Sequence, residues 1–450
     1  MMLSRSCATA ARMQARRRNP IDPVAPPKAS ARLLAGVAAF LTYLAMYAFR
    51  KPIAAATYAD VAPWLGWLDY KTALLLAQVI GYALSKIIGI RVIAEQGRNG
   101  RATTILSLIG VSWLALLAFP LVPPGWGVAC LLLNGLPLGM VWGLVFAYLE
   151  GRRTSEILAA MLSASFILSS GLMKSVGTLL LQAGIGAFWM PALTGLLFAP
   201  LLIASLWLLD RTPPPDAEDE RQRGRRAPMN RAGRIALLRR NWLPLTMLIT
   251  AYVALSALRD FRDNFAPELW AELGYADMAS IFSLSEAPVA VIVLCGLAAG
   301  VLIRDNMRAL LALHAAIFAG ALLLAGGTLA FQAGWIGPLA WMILVGTGLY
   351  LGYVPFSAML FDRLIATLGQ PANAGFLIYV ADAGGYGGSV GLLLYRSLAA
   401  PKIAWLRFFI DCVYGVAALV ALLTLLSALH LAARPQRWTR DLGLRPSVSS

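Results

Sequence analysis

The sequence offers little material for metal, redox or nucleophilic chemistry. Its 450 residues include four cysteines and two histidines, and the cysteines stand far apart, without the CxxC spacing of a zinc or redox site. No HExxH motif and no Ser, His and Asp set is present, and GGYGGSV at 384–390 lacks the spacing and the lysine of a phosphate-binding loop. These absences argue against an enzyme, and we predict no metal and no cofactor.

Charge is also scarce, and most of it has one sign. Charged residues make up 13% of the sequence and hydrophobic residues 59%, above the apolar share of about 45–50% in soluble domains. Lys and Arg outnumber Asp and Glu by 38 to 22, and in a membrane protein such an excess marks cytoplasmic loops. No zinc-finger spacing or aromatic RNA-binding signature accompanies the basic residues. We therefore predict a membrane protein without a nucleic-acid partner.

The hydrophobic residues fall into segments that are long enough to cross a bilayer, which takes about 20 helical residues. The segments run over 32–58, 71–93, 102–121, 127–149, 155–182, 187–209, 242–270, 279–303, 307–331, 335–361, 372–397 and 404–433. This pattern predicts an all-α membrane protein with twelve transmembrane helices in two six-helix halves. The predicted organisation is a basic cytoplasmic tail at 1–30, an N-terminal half at 31–209, a cytoplasmic linker at 210–241, a C-terminal half at 242–433 and a cytoplasmic tail at 434–450.

The loop charges predict the topology of these spans. Connections on one side carry arginine, as in EQGRNGR, EGRRTSE and the 210–241 linker, whereas FPLVPPGWG and LQAGIGAF on the other side carry neither Lys nor Arg. Because basic loops stay in the cytoplasm, both termini are expected there. The N-terminal residues contain no early apolar run of the kind found in a cleaved signal peptide.

Four basic residues lie inside these apolar segments: Arg50, Lys86, Lys174 and Arg259. A charged side chain at the bilayer centre costs about 2.5–3.5 kcal/mol. A chain that repeats this cost is expected to turn the charges into a shared polar cavity. A cavity lined with Arg and Lys indicates a small anionic solute.

The first two segments place aromatic residues beside their cations. Tyr47 and Arg50 are three residues apart, and Tyr82 and Lys86 are four apart, so each pair shares a helix face. Apolar residues resume after Pro52, which predicts a bent helix that continues past it. The alternatives are that Arg50 only marks a helix end and that Lys86 is neutralised by a structural carboxylate.

The RDFRD sequence at 259–263 is the densest charged group within a predicted span. Arg259 is predicted to bind the anion, and Arg262 and Lys174 are candidates for the same role. An internally neutralised ladder of ion pairs is the alternative for Arg259, Arg262 and Asp263. For Lys174 the alternative is a side chain that reaches the membrane surface.

Four carboxylates are candidates for coupling or gating: Asp263, Glu286, Asp382 and Glu150. Glu286 is open to three interpretations, namely a switchable ion pair with a site base, a proton relay, or a static partner. Glu150 belongs to EGRR at the cytoplasmic end of segment 4, where a gating or structural salt bridge is expected.

Six pieces of sequence, in order along both halves, resemble the organophosphate:phosphate antiporters of the major facilitator superfamily. They are YAFRKP, YALSKIIG, NGLPLGMVW, ALRDFRDNFAP, Glu286 followed by LCG, and AGF with GGYGGSV. The resemblance implies that Arg50 and Arg259 hold a phosphate between the halves, that Lys86 and Glu286 match family positions, and that the halves rock to give alternating access. The chain also resembles a small bacterial family of such proteins, which implies the bacterial inner membrane.

Two departures from that family pattern bear on the function. The family's histidine on the fifth helix has no counterpart in SASFILSS, and RDFRD is more charged than the family's seventh helix. We predict a monomeric secondary transporter of an anionic, phosphorylated solute in contact with membrane lipid, with phosphate exchange or proton symport both possible. A membrane sensor that binds such a solute without transporting it is the alternative.

Overall fold

The computed structural model describes residues 29–95, 100–149, 155–213, 231–368, 374–399 and 403–433. Glu150, both predicted tails except residues 29 and 30, and residues 214–230 of the predicted linker lie outside these ranges. The described residues form helices joined by short connections, and their only β-type pairing is an isolated bridge between Trp64 and Leu68.

Twelve long helices account for most of the described residues. They are α1 (Ala29–Tyr47), α2 (Tyr70–Glu95), α3 (Arg101–Ala118), α4 (Pro124–Phe146), α5 (Ser155–Gln182), α6 (Met190–Asp210), α7 (Trp242–Asn264), α8 (Ile281–Val301), α9 (Asn306–Gln332), α10 (Pro338–Pro355), α11 (Ala374–Leu398) and α12 (Trp405–Ala432). α10 continues through a π-helical turn, Phe356–Leu360, into the helix Phe361–Leu368. Each predicted segment overlaps one of these helices.

The composition of the helices suits a bilayer. Within the described ranges, nine helical segments are long and apolar enough to cross a membrane, and α1 contributes the shorter apolar stretch Leu33–Tyr47. Leucine, isoleucine and tryptophan side chains on many of these helices are exposed, as in Trp207 and Leu329. Lipid-facing helices have such surfaces, because the acyl chains around them are as apolar as the side chains.

The helices pack as two groups, α1–α6 and α7–α12. α1 packs on α5 and α6, and α2 on α4; in the second group α7 packs on α11 and α12, and α9 on α10 and α12. The groups meet along α5 and α8 and along α2 and α11. The α2–α4 contact is very close because α4 has glycine at its centre: a Cβ on Gly135 would lie 2.2 Å from the carbonyl oxygen of Gln78.

Two of the predicted segments do not form single helices. α1 ends at Tyr47, and a 3₁₀ turn, Pro52–Ala55, follows instead of a bent continuation to residue 58. A proline ring at residue 52 would clash with the carbonyl four residues earlier in a continuing α-helix. The predicted segment 242–270 likewise divides at Phe265 into α7 and the short helix Ala266–Glu272, which has Pro267 in its first turn. A helix over Arg231–Arg240, inside the predicted linker, was not expected.

We name the two ends of the bundle after α2, as the Tyr70 end and the Glu95 end. Within each group the successive long helices are joined by short connections and alternate in direction, and the pair of Lys51 with Asp263 brings the end of α7 to the end of α1. The ends of α1 and α7 and the starts of α2 and α8 therefore meet at the Tyr70 end. Lys71 and Lys86 are fifteen residues apart on α2, which is about 22 Å along a helix axis.

Candidate functional site

A cavity of about 90 Å³ lies between the two helix groups and is called the central cavity below. Its lining comes from α1, α2, α4 and α5 on one side and from α7, α10 and α11 on the other. Aromatic and charged side chains make up most of the wall. The aromatic ones are Tyr43, Tyr47, Tyr82, Trp142, Phe166, Tyr350, Tyr353 and Tyr386, and the charged ones are Arg50, Lys51, Lys86, Arg259, Asp260, Asp263 and Asp382.

Arg50 is a cavity cation that pairs with none of the described carboxylates. Its guanidinium carbon lies 4.1 Å from the ring centre of Tyr82 and 5.9 Å from that of Tyr47, and its Nε is buried without a hydrogen-bond partner. Cation–π contacts contribute about 0.5–2 kcal/mol and leave the edge of the guanidinium open. That edge can form paired hydrogen bonds with a carboxylate or a phosphate.

Side chains from three helices hold the chain at Arg50. Because α1 ends at Tyr47, the carbonyls of Phe49 and Arg50 have no helical partner, and in a membrane each must be satisfied within the protein. Asn134 Nδ2 donates to the Phe49 carbonyl at 2.9 Å and to Ser112 Oγ at 2.6 Å. Gln78 Nε2 donates to the Arg50 carbonyl at 3.2 Å and to Asn134 Oδ1 at 2.7 Å. The fully connected network fixes the backbone from which Arg50 reaches the cavity.

Lys86 is paired across the two helix groups. Its Nζ lies 2.7 Å from Asp382 Oδ2 on α11, and 5.8 Å from the ring centre of Trp142. Asp382 also accepts a hydrogen bond from the Tyr252 hydroxyl, which lies 3.0 Å from that of Tyr353. A structural carboxylate was the alternative expected for Lys86 from the sequence, and Asp382 is such a partner in this conformation.

Arg259 is occupied by the residue that follows it. Its Nε and Nη2 donate to Asp260 Oδ1 at 3.1 and 2.7 Å, and its guanidinium carbon lies 4.1 Å from the ring centre of Tyr353. The other oxygen of Asp260 accepts from Ser389 Oγ at 2.6 Å. Two of the five N–H donors of Arg259 are therefore committed to a carboxylate of the cavity wall.

Ion pairs join the two helix groups at the Tyr70 end. Asp263 on α7 pairs with Lys51 and with Lys174 Nζ, the latter at 2.6 Å, and also accepts from Ser170. Lys71 Nζ, almost fully buried, lies 2.6 Å from Glu268 Oε1. In all three pairs the lysine comes from the first group and the carboxylate from the second group or the short helix that follows α7. Separating such buried charges is costly, and the cost falls if water reaches both partners when they part.

The structure places two predicted anion ligands away from the cavity wall. Arg262 is 2% exposed and donates to Glu286 Oε1 at 2.7 Å and to the Met342 carbonyl at 3.1 Å. Lys174 is 1% exposed and held by Asp263. Each cation is buried next to a carboxylate, and leaving that partner to reach the cavity would strand a buried charge. Glu286 therefore sits as a partner of Arg262 within the second group.

The structure brings together most of the other predicted site residues and adds several. Tyr47, Arg50, Tyr82, Lys86, Arg259, Asp263 and Asp382 all line the cavity. Asp260, Tyr350, Tyr353 and Tyr386 were not predicted. Asp260 belongs to the charged RDFRD sequence, and Tyr386 lies four residues after Asp382 on the same helix face, so the sequence carried a signal for both. Within the described ranges, no group of three His, Cys, Asp or Glu side chains is placed to hold a metal ion.

The sequence matches the model of a family described as a family of unknown function, DUF5690, over residues 52–434. The chain belongs to this family. The matched region covers eleven of the twelve long helices and begins two residues after Arg50. Among curated proteins, none matches the sequence of this DUF5690 chain.

Solved structures show the fold of the DUF5690 chain. It is similar to a D-xylose–proton symporter, with 16% identity over 89% of this chain and 96% of that chain and a TM-score of 0.54. It is also similar to a bacterial homologue of the human lysosomal transporter Spinster in an inward-facing, unoccupied conformation, with 12% identity over 90% and 98% of the two chains and a TM-score of 0.58. The predicted all-α major facilitator fold of a multi-pass membrane protein is thereby confirmed.

Proposed function

We propose that the protein is a secondary transporter that carries a small anionic solute across the membrane by alternating access. The observation that carries the proposal is Arg50, an arginine that lines a cavity between the two helix groups and pairs with no described carboxylate. A cation at this depth needs a counter-charge. A bound anion supplies it, and the open edge of the guanidinium suits carboxylate or phosphate oxygens.

Alternating access requires contacts that close one end of the cavity and can separate. The pairs of Asp263 with Lys51 and Lys174, and of Glu268 with Lys71, all join the first group to the second at the Tyr70 end. Opening that end would break all of them together, while Arg262 and Glu286 would move as one body with their group. This arrangement supports rocking of two rigid groups around the cavity.

The finer proposal is that the solute is phosphorylated and is exchanged for inorganic phosphate. Its support is the resemblance to organophosphate:phosphate antiporters, in which the positions of Arg50 and Arg259 hold the substrate phosphate. Both residues line the central cavity, from opposite helix groups. Proton symport is the other coupling mode, with Asp382 as the cavity carboxylate that would take the proton.

We further propose that the Tyr70 end faces away from the cytoplasm. The Arg-bearing connections follow the helix ends at the Glu95 end, so the positive-inside rule places that end and both termini in the cytoplasm. The proposal includes two six-helix halves at 31–209 and 242–433 around a cytoplasmic linker. It also includes a monomer in a bacterial inner membrane.

Transport is tested with purified protein in liposomes loaded with unlabelled phosphate. We expect external radiolabelled phosphate to enter in exchange for the internal pool, at a rate well above that of protein-free liposomes. A panel of internal phosphate esters then reports which solutes support exchange. Thermal stabilisation by an ester that supports no flux would favour the sensor instead. If no anion in the panel produces either flux or thermal stabilisation, the proposal is contradicted.

A further inference from the structure

Besides Lys51, which pairs with Asp263, two cavity cations are held by carboxylates that face the same space as the solute. Arg259 donates twice to Asp260, and Lys86 lies 2.7 Å from Asp382. Both carboxylates line the cavity. A site that only attracted anions would gain nothing from them, because each carboxylate repels an anion and occupies its ligands.

One helix fixes both carboxylates. Asp382 and Ser389 are seven residues apart on α11 and so lie on one face, and Ser389 holds Asp260 at 2.6 Å. Between them Gly385 packs closely on α7, where a Cβ would lie 3.0 Å from Ser256 Oγ. The glycine-rich sequence of α11 thus lets its polar stripe reach α7, from which Arg259 and Asp260 come.

We infer that Asp260 and Asp382 determine anion specificity by competing with the solute for Arg259 and Lys86. The inference rests on the proposed function. An incoming anion meets one cation without a carboxylate partner, Arg50, and has to displace Asp260 to engage Arg259 or Asp382 to engage Lys86. Because this displacement costs free energy, an anion that binds Arg259 and Lys86 weakly is rejected.

The competition favours a group with several anionic oxygens. A carboxylate solute has two oxygens, and Arg50 satisfies both in a paired contact. Displacing Asp260 or Asp382 for such a solute exchanges one carboxylate for another without gain. A phosphate monoester has three terminal oxygens and a charge near −2 at neutral pH, so it can contact Arg50 and still replace the carboxylates at Arg259 and Lys86. The site thereby selects phosphate monoesters over carboxylates of the same size.

The experiment compares ethyl phosphate with propionate, as competitors of labelled phosphate exchange at pH 7.5, in full-length protein. The variants are Asp260→Asn, Asp382→Asn and both together, and Asp411→Asn is the control. Asp411 is 54% exposed in a pair with Arg407, so its variant makes the same charge change far from the cavity. Thermal unfolding of each variant shows whether it is folded.

We expect the wild type and Asp411→Asn to prefer ethyl phosphate strongly. Asp260→Asn and Asp382→Asn should each improve inhibition by propionate about tenfold, the effect of freeing a charged hydrogen-bond donor, with a smaller change for ethyl phosphate. An unchanged preference in folded variants would overturn the inference, and so would a loss of binding of both anions, which would mean that the carboxylates position Arg259 and Lys86 for the solute instead of competing with it. Absence of phosphate exchange in the wild type would contradict the proposed function instead.

Discussion

Arg50→Ala is expected to weaken anion binding by at least about a hundredfold, because hydrogen bonds to a charged group contribute about 1.5–3 kcal/mol each and Arg50 can form two. Arg50 is also the cavity cation that pairs with no described carboxylate, so its loss leaves Arg259 and Lys86 bound to Asp260 and Asp382. Competition by unlabelled phosphate in the exchange assay, and calorimetric titration of detergent-purified protein, measure the effect.

The matched control for this change is Arg407→Ala. Arg407 is 70% exposed at the start of α12, and its loss removes the same charge without touching the cavity. The anion binding constant of Arg407→Ala should therefore equal that of the wild type. Arg50→Lys keeps the charge but loses the planar fork, and a weaker affinity than in the wild type is expected if the contact is paired. Undiminished phosphate binding by a folded Arg50→Ala protein would contradict the assignment of this residue.

Asp263→Asn is expected to destabilise the closed Tyr70 end by about 3–5 kcal/mol, the usual cost of breaking a buried ion pair on one side. Asp263 faces both Lys51 and Lys174, so the amide leaves two buried ammonium groups near one another. Either the protein melts at a lower temperature or it shifts to a conformation in which water reaches both lysines. Thermal unfolding and thiol labelling of Ser175→Cys at that end distinguish the two.

A second substitution tests whether the uncompensated lysines cause the loss of stability in Asp263→Asn. Adding Lys174→Met to Asp263→Asn removes one of the two uncompensated charges with a side chain of similar length, and part of the lost stability should return. Asp411→Asn serves again as the control for a lost carboxylate. Unchanged melting together with unchanged labelling in Asp263→Asn would mean that these pairs do not hold the Tyr70 end closed.

The sequence was sufficient to predict the fold because the signal lies in length and composition. Twelve apolar segments, one long polar break at 210–241 and the arginines of the loops are properties of the chain itself. Three of the cations that line the cavity, Arg50, Lys86 and Arg259, were also predictable, because a charge in an apolar segment is rare and needs a polar neighbour. Helix spacing then placed Tyr47 with Arg50 and Tyr82 with Lys86.

The pairing of those charges was not predictable. Lys51, Lys71 and Lys174 meet carboxylates more than eighty residues away, and such partners depend on how the two groups pack. Arg262 and Arg259 are three residues apart in one sequence, yet Arg262 contacts Glu286 within its own group and Arg259 lines the cavity. The end of α1 at Tyr47 was not predicted. The carbonyls of Phe49 and Arg50 that follow it are satisfied by Asn134 and Gln78, and these partners come from other helices.

The measurement that tests alternating access most directly uses a reversible cross-link at the Tyr70 end. Ser175 Oγ on α5 and Ser283 Oγ on α8 lie 2.8 Å apart across the two groups, so cysteines at both positions are placed to form a disulfide. Ser175→Cys alone and Ser283→Cys alone control for the oxidant and for its reaction with the four native cysteines. We predict phosphate exchange by the reduced double variant, its loss on oxidation and its return with a reductant. Undiminished exchange by the fully cross-linked protein would contradict transport by rocking of the two groups.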